Sequence, residues 1–135
     1  MDASGWISLK ATKDRFHRVV VTVHRQLQDA KEKLVTTNLC VVEAAKHIQR
    51  ELGHHIAVTF LTDILAFDKA KLITYIRVDE ELERQAIEFF KRHADKEWDI
   101  VDCTSFVVMR RLGITKALSV DAHFAQASFQ ILVEL

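Results

Sequence analysis

Residues that interrupt secondary structure are scarce in this chain, which contains no proline and three glycines among 135 residues. Average proteins hold about 5% proline and about 7% glycine. β-Sandwiches and β-barrels depend on many tight turns, and tight turns use these two residues most often. The scarcity therefore favours long helices with short connections, and it disfavours a turn-rich β architecture.

Short β-branched runs alternate with longer segments of helical periodicity along the chain. The runs that predict strands are residues 34–38, 71–78, 114–120 and 129–135. The segments that predict helices are residues 14–30, 38–53, 54–70, 79–95 and 102–113, with a short helical turn at 123–127. Such alternation is typical of a parallel sheet with helices on both faces. We therefore predict an α/β/α sandwich with a central parallel sheet, built as one domain over residues 1–135.

Capping residues and apolar spacing refine these predicted helices. The predicted N-caps are Asp14, Thr37 or Asn38, and Asp102. Gly53 and Gly113 are the predicted stops of the helices that precede them. Four apolar residues of segment 38–53 recur at helical spacing and are predicted to face the core: Val42, Ala45, Ile48 and Leu52.

Charge and hydropathy exclude several classes of protein. Lys plus Arg and Asp plus Glu both number 19, so the net charge is zero and the chain has no strongly basic coat. A phosphate-bearing substrate would need a local basic patch or a bound metal ion. No apolar run approaches the roughly 20 residues of a membrane span, and the N-terminus lacks the pattern of a signal peptide. These features predict a cytoplasmic protein. Cys40 and Cys103 are expected to be small core residues.

Four acidic residues stand beside apolar runs: Asp2, Glu43, Asp102 and Asp121. A carboxylate near a core costs free energy unless it is paired or coordinated. A helix cap or turn residue explains one such acid, and this reading stays open for Asp102 and Asp121. Four of them at the ends of predicted elements are better explained by a cation site. Since carboxylate oxygens are the preferred ligands of Mg²⁺ and Mn²⁺, we predict a site for one of these ions.

Four segments, in order, resemble the PIN-domain family and within it the VapC-type ribonuclease toxins of bacterial toxin–antitoxin pairs. They are DASGWISL, LVTTNLCVVEAA, WDIVDCTSFVVMRRLGI and ALSVDAHFAQASF. The resemblance implies an α/β/α sandwich and cleavage of single-stranded or structured RNA that depends on Mg²⁺ or Mn²⁺. It also implies a homodimer and a cognate antitoxin, which often places a basic side chain among the acids.

The resemblance assigns roles to residues of this sequence. It implies that the four acids bind the metal ion and carry out the catalysis. Ser4 matches the hydroxyl of the family's first motif, and Ser105 matches a small polar residue beside the third acid. Arg15, a basic residue near the expected mouth of the site, and His123, beside the last acid, are further candidates for contact with substrate.

The start of the chain departs from the family pattern. In the family, about four apolar residues precede the first Asp and form the central strand, whereas only Met1 precedes Asp2 here. Strands 34–38 and 114–120 would then lack a shared partner. We expect either marginal stability or the use of residues 2–8 as a substitute strand, which would move Asp2 away from the other acids. The positive charge of the amino terminus would also compete with the cation.

Two alternative functions follow from the sequence. The first is a catalytically impaired PIN-like domain that binds RNA or a protein. The second is an α/β domain with a phosphatase-like metal site.

Segment 54–70 carries more apolar residues than one small core is expected to use, namely Ile56, Val58, Phe60, Leu61, Ile64 and Leu65. This surplus predicts a partner surface.

Overall fold

A computed structural model describes residues 1–133, in which helices alternate with short strands. The helices are α1 Ala3–Lys10, α2 His17–Asp29, α3 Asn38–Leu52, α4 His54–Lys69, α5 Glu80–Arg92, α6 Ile100–Leu112 and α7 His123–Gln126. The strands are β1 Leu34–Thr37, β2 Ile73–Ile76, β3 Lys116–Ala117 and β4 Gln130–Ile131. The predicted alternation is thereby confirmed. The last two residues of predicted strand 129–135 lie outside the described residues.

The four strands form two parallel pairs. β1 pairs with β2, with Leu34 opposite Ile73, and β3 pairs with β4, with Lys116 opposite Gln130. The mixed α/β fold with parallel strands is the predicted one, but the strands are divided between two sheets. A cavity of about 410 Å³ separates β1 from β3 and is also lined by Val108 of α6. Both inner strand edges therefore face the same cavity.

The N-terminal segment folds as a helix, so the expectation of a substitute strand at residues 2–8 is wrong. Asp2 caps α1 by accepting a hydrogen bond from Gly5 N at 3.0 Å. Gly5 packs directly against the backbone of Leu118, the residue that follows β3. A Cβ atom on Gly5 would lie 2.5 Å from the carbonyl oxygen of Leu118. Trp6 is buried and donates from Nε1 to Thr36 Oγ1 at 3.0 Å. These contacts hold α1 beside both sheets.

Two predicted helix starts differ from the structure. Asp102 is not an N-cap but the third residue of α6, where it forms a capping box with the true cap, Asp99. α2 begins at His17, and Asp14 instead accepts from Phe16 N at 2.7 Å in the preceding turn. At α6 two Asp residues three positions apart compete for the cap, and local sequence does not rank them. At α2 the N-cap position is Phe16, which makes no side-chain capping hydrogen bond.

The other predicted helix ends are confirmed. Thr37 caps α3 by accepting a hydrogen bond from Cys40 N. Gly53 follows the last residue of α3 with a φ of 99°, and Gly113 follows α6 with a φ of 68°. These values lie in the left-handed region, which glycine enters without the steric cost that a Cβ imposes.

The core consists of two clusters. One surrounds α6 and contains Phe89, Trp98 and Phe106, and the other joins α1, α3 and α4 around Trp6. Cys40 and Cys103 are buried free thiols, as predicted. Among the described residues, no helix has the length and hydropathy needed to cross a membrane.

Several side chains face a direction other than the predicted one. Val42, predicted to face the core, is 62% exposed, and the buried stripe of α3 runs through Val41, Ala44 and Ile48. Phe60 and Ile64, counted in the apolar surplus of α4, are both 1% exposed and belong to the core. The surplus is therefore smaller than predicted. Its members on one helix face are Val58, Leu61 and Leu65, which are 45%, 38% and 58% exposed.

Candidate metal centre

Three potential metal ligands meet where the N-terminal turn of α6 faces the loop that follows β3. Asp102, Asp121 and His123 each offer a ligand atom within 4.8 Å of the other two. His123 Nδ1 lies 2.9 Å from Asp102 Oδ2 and 3.4 Å from Asp121 Oδ1. The backbone fixes this arrangement, because Asp121 Oδ1 also accepts from His123 N at 2.9 Å. The site thus joins Asp102 to Asp121 and His123, which lie 19 and 21 positions later in the sequence.

Asp2 is joined to this group through two serine hydroxyls. Ser4 Oγ donates to Asp2 Oδ1 at 2.7 Å, and Ser119 Oγ donates to Asp2 Oδ2 at 2.9 Å. The same Ser119 Oγ accepts from Asp121 N at 2.9 Å. Ser119 is fully buried, and Ser4 Oγ also accepts from Val120 N at 3.0 Å. Asp2 is therefore fixed relative to the loop that carries Asp121.

Glu43 lies on the solvent side of α3 and is exposed. Partial desolvation raises its pKa, and the negative charges of Asp99, Asp102, Asp2 and Asp121 raise it further. Glu43 therefore lies within electrostatic range of the other four carboxylates. Glu43 and Asp2 lie outside the group of three atoms that meet within 4.8 Å in the described part of the chain.

Burial and mutual repulsion shift the titration of the site. Burial is the largest cause that raises the pKa of Asp2, and its hydrogen bonds with Gly5, Ser4 and Ser119 only partly oppose this rise. Burial also raises the pKa of Asp102, while its hydrogen bond with His123 opposes the shift. The predicted direction is confirmed, since the pKa of Asp2, Glu43 and Asp102 is raised, but burial and not the predicted mutual repulsion is the largest cause in each case.

The pKa of His123 is raised, whereas burial lowers the pKa of an isolated histidine. Desolvation alone would lower its pKa. The hydrogen bond to Asp102 and the charges of Asp121, Asp102 and Asp99 outweigh that cause and raise the pKa instead. The protonated imidazole is thus the form that the carboxylates favour.

A fifth acid belongs to the site and was not predicted. Asp99 caps α6, accepts from Asp102 N at 2.8 Å and donates its own N–H to Asp102 Oδ2 at 3.2 Å. Its negative charge also contributes to the raised pKa values of Glu43, Asp102 and His123. The D-x-x-D spacing of residues 99–102, a capping-box pattern, is the sequence signal that identifies it.

The predicted substrate contacts occupy different environments. His123 belongs to the carboxylate group, and Ser4 braces Asp2. Ser105 is buried, with its Oγ 3.4 Å from Cys40 Sγ, so its hydroxyl faces the interior. Arg15 is exposed in the turn before α2, where its guanidinium lies 4.5 Å from the ring centroid of Phe16.

The donor set fits a hard divalent cation. Asp102 and Asp121 present carboxylate oxygens to a common point, which is the ligand type that Mg²⁺ and Mn²⁺ prefer. Nearby acids add negative charge without occupying that point. Zinc would usually call for more nitrogen or sulfur ligands, and both cysteines are buried elsewhere, in the core.

Comparison with known proteins identifies the family. The PIN-domain family model matches residues 1–130. The 23S rRNA-specific endonuclease VapC20 of Mycobacterium tuberculosis, in strains CDC 1551/Oshkosh and H37Rv, is 33% identical over 132 residues, which cover 96% of this chain and 93% of the relative. The crystal structure of M. tuberculosis VapC20, described as a sarcin–ricin loop cleaving toxin, superposes with a TM-score of 0.80 at 31% identity, covering 95% of this chain and 93% of that one. Since family model, sequence and fold agree over nearly the full length, this chain belongs to the PIN-domain family and is a homologue of the VapC-type toxin endoribonucleases.

Proposed function

We propose that this chain is an endoribonuclease that depends on Mg²⁺ or Mn²⁺ and acts as the toxin of a toxin–antitoxin pair. The observation that carries the proposal is the convergence of Asp102, Asp121 and His123 at one point, with Asp2 tied to the same loop. This arrangement occurs in a chain that is similar over 96% of its length to an rRNA endonuclease.

The acids have distinct roles in this proposal. Asp102 and Asp121 hold the cation, and Asp2 adds a carboxylate whose orientation Ser4 and Ser119 fix. A bound divalent cation lowers the pKa of a water molecule and stabilises negative charge on the leaving oxygen. Glu43, exposed and with a raised pKa, is placed to accept a proton at a carboxylate oxygen.

His123 links cation binding to pH. Its Nδ1 contacts both carboxylates, and its pKa is raised by them despite desolvation. The protonated ring therefore competes with a cation for the same oxygens. Cation affinity should rise with pH as His123 loses its proton.

The substrate class follows from the relatives. One is named as a 23S rRNA-specific endonuclease, and the same protein's crystal structure is described as a sarcin–ricin loop cleaving toxin. We propose a structured ribosomal RNA element of that kind as the substrate of this chain. We also propose a cognate antitoxin, whose basic side chain would enter among the acids, and a homodimer formed through Val58, Leu61 and Leu65 of α4.

One observation favours the alternative, a PIN domain that binds RNA without cutting it. Asp2 and Glu43 lie outside the group of three ligand atoms that meet within 4.8 Å in the described residues. Two carboxylates and one histidine offer a hard cation fewer oxygen ligands than four acids would.

Cleavage of defined RNAs separates the two functions. A sarcin–ricin stem-loop and an unrelated hairpin are incubated with Mg²⁺, Mn²⁺ or EDTA, and fragments are resolved on a denaturing gel. We expect metal-dependent cutting that Asp121→Asn abolishes and that Asp95→Asn leaves unchanged, because the Asp95 side chain is 71% exposed and pairs with Lys96. Binding of the stem-loop without cutting under any metal would favour the alternative.

A further inference from the structure

A groove between α5 and α6 collects four arginines on the surface of the molecule. It has a volume of about 440 Å³ and is lined by Arg84 and Arg92 of α5 and by Arg110 and Arg111 of α6. All four side chains are exposed. Because the whole chain has zero net charge, this groove is a local excess of positive charge.

The floor of the groove holds two of the guanidinium groups in place. Arg110 Cζ lies 4.9 Å from the ring centroid of Phe89, and Arg92 Cζ lies 5.9 Å from it. Phe89 is buried and packs against Phe106 and Trp98. A guanidinium stacked on a fixed ring keeps its N–H groups directed at solvent and loses less side-chain entropy when it binds a ligand.

Few carboxylates neutralise these arginines. Arg84 pairs with Glu81 at 2.6 Å, and Glu88, which also lines the groove, lies 3.7 Å from Lys91. Within residues 1–133, no carboxylate lies at salt-bridge distance from Arg92, Arg110 or Arg111. Three guanidinium groups thus remain available to an anionic partner.

Helix α6 connects the groove to the metal centre. Asp102 stands in its first turn, and Arg110 follows eight residues later, which is about 12 Å along a helix axis. A strand of RNA with its cleaved bond at Asp102 needs only a few nucleotides to cover that distance. The arginine fork also matches the oxygens of a phosphate in two-point contacts.

We propose that this groove binds backbone phosphates of the RNA substrate a few nucleotides from the cleaved bond. The inference rests on the proposed function, since it names a second part of the same substrate site. An acidic peptide is the less favoured occupant, because the apolar lining residues Phe89 and Val107 are buried. The groove therefore lacks the exposed apolar anchor that a protein interface uses at its centre.

Binding in EDTA tests the groove without cleavage. The probe is a fluorescein-labelled stem-loop RNA of about 20 nucleotides, followed by fluorescence anisotropy at several salt concentrations. For the double variant Arg110→Gln/Arg111→Gln, we expect a Kd raised on the order of tenfold and a salt slope reduced by about one per lost phosphate contact. The control Arg25→Gln/Arg50→Gln removes the same charge from exposed positions outside the groove and should leave both values near those of the parent.

A charge-preserving variant separates binding from folding. Arg110→Lys/Arg111→Lys should recover most of the affinity, and all variants should melt within a few degrees of the parent. Equal Kd values for the Gln double variant and its control would overturn the proposal. So would a labelled polyglutamate peptide that binds the parent and not the Gln variant while RNA binding stays unchanged.

Cleavage of a short RNA distinguishes failure of the groove from failure of the enzyme. A dinucleotide, whose only phosphodiester is the cleaved bond, is too short to reach the groove, so the Gln double variant should cut it at the parent rate and cut the stem-loop more slowly. An equal loss on both substrates would overturn the proposal. If the parent cuts neither RNA, the proposed function fails, and the anisotropy comparison still decides whether the groove binds RNA.

Discussion

At the residue scale, Asp102 combines a structural and a chemical role in one carboxylate. Its Oδ2 accepts from Asp99 N at 3.2 Å as part of a capping box and also meets His123 Nδ1 at 2.9 Å. Asp99 N and His123 Nδ1 thus contact the same oxygen of the Asp102 carboxylate. Helix capping and the proposed metal binding therefore involve the same carboxylate.

Asp102→Asn separates these two roles. The amide oxygen still accepts from Asp99 N, while the unfavourable burial of a charge disappears. We expect a metal-free protein at least as stable as the parent, with Mg²⁺-induced stabilisation lost and cleavage reduced at least a hundredfold. Thermal melting with and without Mg²⁺, beside the exposed control Asp95→Asn, measures this. A loss of more than about 1 kcal/mol in the metal-free protein would favour the capping role instead.

The pH dependence of stability follows from the raised pKa values of Asp2 and Asp102. A carboxyl with a raised folded-state pKa contributes stability below its unfolded value, about 4, and loses that contribution as pH rises through the folded-state pKa. His123 also has a raised pKa, so its contribution is present below about 6.5 and is lost as pH rises further.

Mg²⁺ should reverse this loss, because it neutralises the carboxylates. We expect the Mg²⁺-induced rise in Tm to be larger at pH 7.5 than at pH 5, where protons occupy the site. Melting curves at both pH values, recorded in buffer that contains Mg²⁺ and in buffer that contains EDTA, measure the difference. The same rise at both pH values would contradict the assignment of Asp102 and His123 to the cation site.

At the element scale, β1 and β3 each pair with a strand on one side only, as far as residues 1–133 are concerned. The carbonyls of Thr115 and Ala117 accept from Gln130 N and Leu132 N, so these groups serve β4. On the opposite side of the cavity, Val35 O accepts the Met1 amine. In a parallel strand, alternate residues direct their backbone groups to opposite edges. An extended segment in the cavity would thus find hydrogen-bonding edges on both sides.

An N-terminal extension tests this account of the cavity. A variant with five apolar, strand-forming residues before Met1 should pair with β1 and β3 and fill much of the cavity of about 410 Å³. Each new hydrogen bond contributes about 1 kcal/mol net, so the Tm should rise by many degrees and metal-dependent cleavage should increase. An extension of five Gly and Ser residues is the control. Equal melting of the two extended forms would show that the cavity does not accept a strand.

At the scale of the whole molecule, exposed apolar side chains on α4 form a surface suited to a second copy of the chain. Val58, Leu61 and Leu65 recur at helical spacing on one face. Phe60 and Ile64 on the other face are buried in the core. The helix therefore has two apolar faces, and within residues 1–133 only one of them is buried.

Sedimentation at micromolar concentration tests the homodimer. We expect the parent to be a dimer and Leu61→Lys/Leu65→Lys to be a monomer with a folded circular dichroism spectrum. The control Ile87→Lys/Phe90→Lys changes two exposed apolar residues on α5 and should remain a dimer. A parent that sediments as a monomer would contradict the proposed interface.

The sequence by itself determined much of the local structure and the acidic residue types that gather at the candidate site. The alternation of helices and strands, the cap at Thr37 and the stops at Gly53 and Gly113 follow from backbone preferences that act within a few residues. The ordered acidic segments also predicted a PIN-type fold, which the family match confirms. That Asp2, Glu43, Asp102 and Asp121 bind the metal ion remains a prediction.

Only the tertiary structure decided which side chains meet. Val41 and Val42 fit two overlapping helical stripes, and the packing of α3 selected the first. His123 entered the carboxylate group, and four arginines from two helices formed one groove, because elements distant in sequence pack side by side. Periodicity reports how one element divides between core and solvent, but it contains no information on which neighbour lies across the gap. That choice depends on the fit of whole surfaces, so it appears only when the chain is folded.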